Sequence, residues 1–218
     1  MLAGDVGWPG KNEDAEDNEA MDTREDLSPE LIEEFVISAH SDFPKVQEML
    51  ESEPRLLNEK WVKFDENALE ASGHMGRADI MEYLLGKGAP LTIFAAASLG
   101  RPEDVAAFLE KRPELATALG VHGITILYHA ALGGKVEIAD MLVAHGGGQG
   151  ASHALHAAVE LDRRDMAAWL LARGADPNTL NWERKTTLDV ALSRGDEEIA
   201  GMLREHGGVE SASEKTAG

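Results

Sequence analysis

A short pattern that occurs six times between residues 35 and 195 constrains the fold of this 218-residue chain more than any other feature. In each copy a bulky apolar residue is followed three positions later by a small residue and seven positions later by glycine or aspartate. The apolar anchors are Phe35, Leu69, Ile93, Leu127, Leu155 and Leu188. The small residues are Ser38, Ser72, Ala96, Ala130, Ala158 and Ala191, and the turn residues are Asp42, Gly76, Gly100, Gly134, Asp162 and Gly195. Six similar units in a row predict a stacked architecture in which each unit packs on its neighbours.

Each turn residue is followed by a second segment whose apolar residues lie four, seven and eight positions further on, as in an amphipathic helix. Of these eighteen positions seventeen are apolar, and the exception is Asp104, whose neighbour Val105 can fill the same space. Each unit is therefore predicted to contain a short helix, a tight turn in which glycine or aspartate takes a positive φ, and a second helix. Ser28, Thr125 and Thr186 are predicted to begin first helices as N-caps.

The last three units, at residues 123–147, 151–178 and 185–208, resemble ankyrin repeats. The family signature TPLHxA corresponds to TTLDVA at 186–191 and to HALHAA at 153–158, and no unit has the signature proline. The resemblance spans about residues 28–208 and is degenerate in the first three units. It implies an all-α fold, an α-solenoid of about six ankyrin-like helix-turn-helix repeats with short β-turn fingers.

The intervals between successive anchors are 34, 24, 34, 28 and 33 residues. Only the long intervals can hold a finger, so fingers are predicted at about residues 53–66, 112–124 and 177–185. The finger row should then have gaps after the second and fourth units. Such gaps either form grooves or simply reflect degenerate repeats.

Charge and composition limit the classes of partner. The chain has 40 acidic and 20 basic residues and a net charge of -20, which disfavours nucleic acids and anionic membranes and favours basic or apolar partners. It has no cysteine, no N-terminal segment typical of a signal peptide and no apolar run long enough to cross a membrane. We therefore expect a cytoplasmic protein, and we expect it to be a monomer. The alternative that the acidity reflects adaptation to high salt stays open.

The acidic residues are concentrated near the N-terminus, where residues 1–34 carry twelve acids and two bases. Residues 1–27 are accordingly interpreted as a disordered acidic tail, either solubilising or a docking arm. Residues 28–208 form the predicted repeat domain. Residues 209–218 lack apolar periodicity and are predicted to be a flexible C-terminal tail.

By the same resemblance, a concave face consists of the finger tips and the ends of the first helices. His40, Glu66 and His74 are among the positions on that face. The residues predicted to bind a partner there are Phe64, Met75, Leu99, His122, Leu132, Leu161, Trp182 and Lys185. Most of them put apolar groups where a solvated surface would be polar, and exposed apolar patches often mark partner sites. The alternative is that several of them pack on each other or cover loops.

The predicted function is that of a protein–protein interaction scaffold. A rival hypothesis is a small-ligand or metal-binding pocket at a finger gap that uses His122, His129, His153 or His156. However, His156 occupies the signature histidine position and is expected to hydrogen-bond the loop backbone of a neighbouring unit. Without thiolates or an HExxH motif we expect no metal ligand and no cofactor. The sequence has no GxSxG motif and no phosphate-binding loop, so we expect no catalytic residue and no enzyme activity.

Overall fold

The computed structural model of the chain describes residues 26–211. In this part of the chain twelve α-helices follow one another as six pairs. The first helices of the pairs are α1 (Pro29–Ser38), α3 (Ala68–His74), α5 (Ile93–Ser98), α7 (Ile126–Gly133), α9 (Ala151–Glu160) and α11 (Thr187–Ser193). The second helices are α2 (Phe43–Ser52), α4 (Ala78–Gly86), α6 (Pro102–Lys111), α8 (Val136–Ala144), α10 (Arg164–Ala172) and α12 (Glu197–Glu205). The predicted all-α solenoid of six helix-turn-helix units is thereby confirmed.

The three predicted N-caps are confirmed. The Ser28 side chain accepts a hydrogen bond from the Leu31 amide, and Thr125 and Thr186 do the same at the starts of α7 and α11. Asn67 and Thr92 cap α3 and α5 in the same way, although the sequence pattern did not single them out. These side chains satisfy amide groups that a helix leaves unpaired in its first turn.

Most of the turns within the helix pairs have the predicted left-handed backbone. Five of the six turn residues have φ between 54° and 72°, namely Gly76, Gly100, Gly134, Asp162 and Gly195. The prediction is wrong for Asp42, whose φ is -106°. Its carboxylate accepts a hydrogen bond from the Lys45 amide and so caps α2 instead.

Small residues bring the first helices together into a continuous row from α1 to α11. Ala96, Ala130, Ala158 and Ala191 are completely buried in this row. Helix α6 differs from the predicted pattern, because Val105 and Leu109 are its buried residues while Ala107 is exposed. Its apolar stripe is therefore rotated by one residue, which keeps Asp104 out of the core.

The buried apolar side chains form two clusters that adjoin at α5. The first extends from Phe35 to Ala95 and the second from Ile93 to Leu203. Leu91, in the short connection before α5, packs against both clusters. The hydrophobic core is therefore distributed along the solenoid, as stacking of small units requires.

Three fingers occur where the long anchor intervals predicted them. In the first, strand β1 (Lys60–Trp61) pairs with strand β2 (Glu66–Asn67) in antiparallel register. The second is closed by a β-bridge between Leu119 and Thr125, and the third by a hydrogen bond from the Asn181 amide to the Lys185 carbonyl. The short connections at 87–92 and 145–150 contain no strand in the described structure, so the predicted gaps are present.

The ends of the chain lie mostly outside the described residues. The predicted acidic tail falls there except for its last two residues, of which Leu27 packs against the first cluster. At the other end Val209 and Ser211 hydrogen-bond Asn178 and Asp189, so the contacts of the repeat domain extend past residue 208. The division of the chain at these boundaries stays a prediction. Between residues 26 and 211 no helix is both long and apolar enough to cross a membrane.

Candidate functional site

The predicted partner-binding residues differ widely in exposure. Trp182 is 87% exposed, Met75 is 47% exposed and Phe64 is 42% exposed. His122 and Lys185 are also exposed, and the Lys185 ammonium group lies 2.6 Å from the Glu183 carboxylate. Leu99 and Leu161 are half-buried.

Leu132 is the clear exception, because only 3% of it is exposed. The expectation that it lies on an open surface is wrong. Its side chain, together with that of Leu161, fills the space above Gly76, where a Cβ atom would lie 3.2 Å from Leu132 Cδ2. Units separated along the chain therefore pack directly here, and Leu132 belongs to the core.

Aromatic side chains connect the first and second fingers across the gap after the second unit. The ring centroids of Trp61 and Phe64 are 4.7 Å apart, and those of Phe64 and His122 are 5.3 Å apart. The Lys63 ammonium group lies 5.1 Å from the Phe64 ring centroid. This gap is therefore bridged by side chains.

The gap after the fourth unit is open. One pocket of about 360 Å³ is lined by second-finger residues and by Tyr128, Gly150 and His153. A second, of about 410 Å³, shares Tyr128 and His153 and ends at Leu180 and Trp182 of the third finger. Burial, with a smaller contribution from the charge of Glu160, raises the pKa of Tyr128 to about 12, so its hydroxyl stays protonated at the floor of this groove. We call these two adjoining pockets the inter-finger groove.

A second constellation surrounds the carboxylate of Glu66. Glu66 is completely buried at the base of the first finger, and three histidines approach it. Its Oε2 atom is 3.8 Å from His40 Nε2, and its Oε1 atom is 3.2 Å from His74 Nδ1 and 3.5 Å from His122 Nε2. We call these four residues the histidine–glutamate cluster.

Each member of this cluster comes from a different local structure. His40 follows the end of α1, Glu66 lies in β2, and His74 is the last residue of α3. His122 lies in the second finger with a positive φ of 58°, in the left-handed region where histidine occurs more often than most other non-glycine residues.

The Glu66 carboxyl remains ionised in this environment. Burial by itself raises its pKa, but the close approach and charge of His74 and the charges of His40 and His122 outweigh burial. The pKa of Glu66 is consequently lowered below its ordinary value of 4.5. A buried carboxylate of this kind must be compensated by positive charge.

Three histidines of the rival hypothesis, His122, His153 and His156, line the inter-finger groove, whereas His129 does not. His156 Nε2 lies 2.8 Å from the Thr179 carbonyl oxygen of the neighbouring loop, which confirms the predicted structural hydrogen bond. His129 is buried with its Nδ1 atom 2.9 Å from Ser98 Oγ, away from solvent. Among the described residues, the potential metal ligands that converge are instead His40, Glu66 and His74. Sequence reasoning placed all three on the concave face but not next to each other.

Comparison with known proteins agrees with the repeat architecture. Residues 92–181 match a family model described as ankyrin repeats in three copies. Over 187 residues, which are 83% of this chain, the sequence is 27% identical to a protein of Treponema pallidum (strain Nichols) whose name describes it as ankyrin repeat-containing. The aligned region is 54% of that protein, so this chain spans about half the length of this relative.

Proposed function

We propose that this chain, whose residues 92–181 match a model of three ankyrin repeats, binds another protein through its concave face, with the inter-finger groove at the centre of the contact. Ankyrin repeats are generally protein–protein interaction modules. A rigid stack of units presents such a partner with a surface that is already formed, so little conformational entropy is lost on binding.

The observation that carries the proposal is the exposure of Trp182. A tryptophan side chain that is 87% exposed leaves a large apolar area in water, and it stands beside a concave groove. Tryptophan is among the residues most enriched at the energetic centres of interfaces, because burial of its ring removes much apolar surface from water at little entropic cost. Phe64 on the first finger offers a second apolar contact on the same face.

The partner that fits this surface is basic or carries an apolar anchor. A net charge of -20 attracts positively charged proteins and accelerates their encounter. The proposal requires no catalysis and no nucleic acid, and it is made for a monomeric chain in the cytoplasm.

The test is affinity purification from the native host with four baits: the wild-type chain, Trp182→Ala, the Phe64→Ala/Trp182→Ala double variant, and Val143→Ala. Val143 is a matched control, because it is 41% exposed but lies on the second helix α8. We expect Trp182→Ala to reduce recovery of the partner by about tenfold or more, as for an interface hot spot, and Val143→Ala to leave it unchanged. Equal recovery with all four baits would show that the concave face is not the binding surface.

A further inference from the structure

The Glu66 carboxylate has an unusual position. The residue is completely buried, and among the described residues neither carboxylate oxygen has a hydrogen bond of ordinary geometry. The ionised groups expected near such a carboxylate are lysine or arginine, yet the neighbours at 3.2 to 3.8 Å are imidazole nitrogens. Lys60 of the same finger is 3.1 Å from the exposed Asp65.

The orientation of His40 determines which of its ring nitrogens carries the proton. Its Nδ1 atom lies 3.0 Å from the Val36 carbonyl oxygen and 3.2 Å from that of Ile37, so Nδ1 carries the proton and donates it to the backbone. In the neutral imidazole Nε2 then has a lone pair, and this atom faces Glu66 Oε2 at 3.8 Å. Nε2 and Glu66 Oε2 then both offer a lone pair toward the space between them, an arrangement that a proton or a metal ion can bridge.

His74 differs from His40, because one ring nitrogen is close both to a backbone carbonyl and to the carboxylate, which leaves its other ring nitrogen to bind an ion. Its Nδ1 atom is 3.1 Å from the Glu70 carbonyl oxygen as well as 3.2 Å from Glu66 Oε1. Histidines that bind metal ions commonly hydrogen-bond a backbone carbonyl through one ring nitrogen, which fixes the ring in position. In the His40–His74 pair the ring centroids are 5.1 Å apart, so both rings flank the carboxylate closely.

We propose that His40, Glu66 and His74 bind a divalent transition-metal ion such as Zn²⁺, and that His122 supplies the fourth ligand. One potential ligand atom of each of the first three residues lies within 4.8 Å of the others. Tetrahedral ligands at the usual zinc distances lie about 3.4 Å apart, so modest side-chain rotation closes the site. His40 and His122 face solvent, which gives them the freedom to move and gives the ion a path of entry.

The donor set determines the class of metal. Two or three imidazoles and one carboxylate suit Zn²⁺ and its first-row neighbours, whereas Mg²⁺ and Ca²⁺ prefer oxygen ligands. This proposed site differs from the expectation, drawn from the sequence, that the chain has no metal ligand. It uses His122 of the rival hypothesis, but with different partners.

The gap in the finger row explains how the cluster forms. The third unit has no finger, so the second finger contacts the first directly, as the Phe64–His122 ring contact shows. A bound ion would therefore connect the first, second and fourth units on the concave face. It would hold together the two core clusters that adjoin at α5.

The experiment is a titration of the full-length chain with Zn²⁺ by calorimetry in a buffer that does not bind zinc, repeated with Co²⁺, whose visible absorption reports tetrahedral coordination. We expect one ion per chain. His40→Ala, His74→Ala and Glu66→Gln should each weaken binding by about 100-fold or more, and His122→Ala by about tenfold. Circular dichroism of each variant checks that the fold is retained.

His145→Ala is the matched control. The exposed His145 also has its Nδ1 atom 2.9 Å from the carbonyl oxygen four residues earlier, that of Met141, but it has no carboxylate partner of this kind in the described structure. Zinc affinity should be unchanged in this variant. The proposal is overturned if the wild-type chain binds no stoichiometric ion, if His40→Ala and His74→Ala both retain the wild-type affinity, or if His145→Ala weakens binding as much as they do. Partner recovery plays no part in this readout, so the two proposals succeed or fail separately.

Discussion

The imidazole of His129 lies in the middle of the row of first helices and is 2% exposed. The Ser98 hydroxyl donates its proton to the Gly73 carbonyl oxygen. Ser98 Oγ is therefore the acceptor in its hydrogen bond with His129, and His129 Nδ1 is the donor. His129 Nε2 is left buried without a hydrogen-bond partner among the described residues. Burial, reinforced by the charge of His74, lowers the pKa of His129 from 6.5 to about 3. The residue is therefore a neutral structural histidine.

This pKa predicts a specific acid sensitivity. The unfolded chain binds a proton at His129 below its ordinary pKa of 6.5, and the folded chain does so only near 3. The resulting stability is fully present above pH 6.5 and is lost as pH falls toward 3, by up to about 1.4 kcal/mol per pH unit. Urea unfolding between about pH 7.5 and 4.5 measures it. His129→Asn keeps a donor toward Ser98 but does not titrate, so its stability should fall less steeply with acid; parallel curves would contradict the assignment.

Close approach of helices depends on glycine as well as alanine. Gly133 ends α7, and a Cβ atom there would lie 2.2 Å from the Ala97 carbonyl oxygen and 2.9 Å from the Gly100 amide nitrogen. Both atoms belong to the backbone of the preceding unit, so neither can rotate away. The separation of α5 and α7 therefore requires glycine at this position.

We accordingly expect Gly133→Ala to lower the free energy of unfolding by about 1–3 kcal/mol, as overpacking does. Gly201, within α12, is the matched control, because a Cβ atom there would meet nothing within 4 Å. Gly201→Ala should raise stability by up to about 1 kcal/mol through helix propensity. Denaturant unfolding of both variants decides the point, and a Gly133→Ala chain as stable as the wild type would show that α5 and α7 can separate at no cost.

The whole molecule carries a net charge of -20, and its stability has to overcome the repulsion between those charges. Ion pairs such as those of Arg164 with Asp196 and Glu198 relieve this repulsion locally between the fifth and sixth units. Exposed pairs of this kind contribute little individually. Screening by salt acts on all the charges together.

The midpoint of thermal unfolding should therefore rise as NaCl increases from about 0.05 M to about 0.5 M, where the screening length falls well below the size of the solenoid. The same series near pH 4.7, the isoelectric point, should show a weaker response, since the net charge there is close to zero. Differential scanning calorimetry measures both series. An unfolded chain at the lowest salt would support high-salt adaptation, whereas an equal response at both pH values would rule out net repulsion as the cause.

Features that depend on contacts within one unit, or between adjacent units, were determined by the sequence itself. The spacing of anchors, small residues and turn residues depends on the length of the helices and on the contacts between neighbouring helices. It therefore predicted six helix pairs. The anchor intervals likewise predicted which connections are long enough for fingers. The exceptions have local causes: the Asp42 carboxylate caps α2 in place of a left-handed turn, and Val105 takes the buried position in α6 in place of Asp104.

Only the tertiary structure decided what happens across the missing finger. Leu132 is buried over Gly76 because units two apart along the chain touch there, and His122 reaches Glu66 for the same reason. These contacts depend on the angle at which successive units stack. That angle is the sum of many small packing differences, which no spacing within the sequence records. The cluster around Glu66 was therefore visible only once the solenoid was assembled.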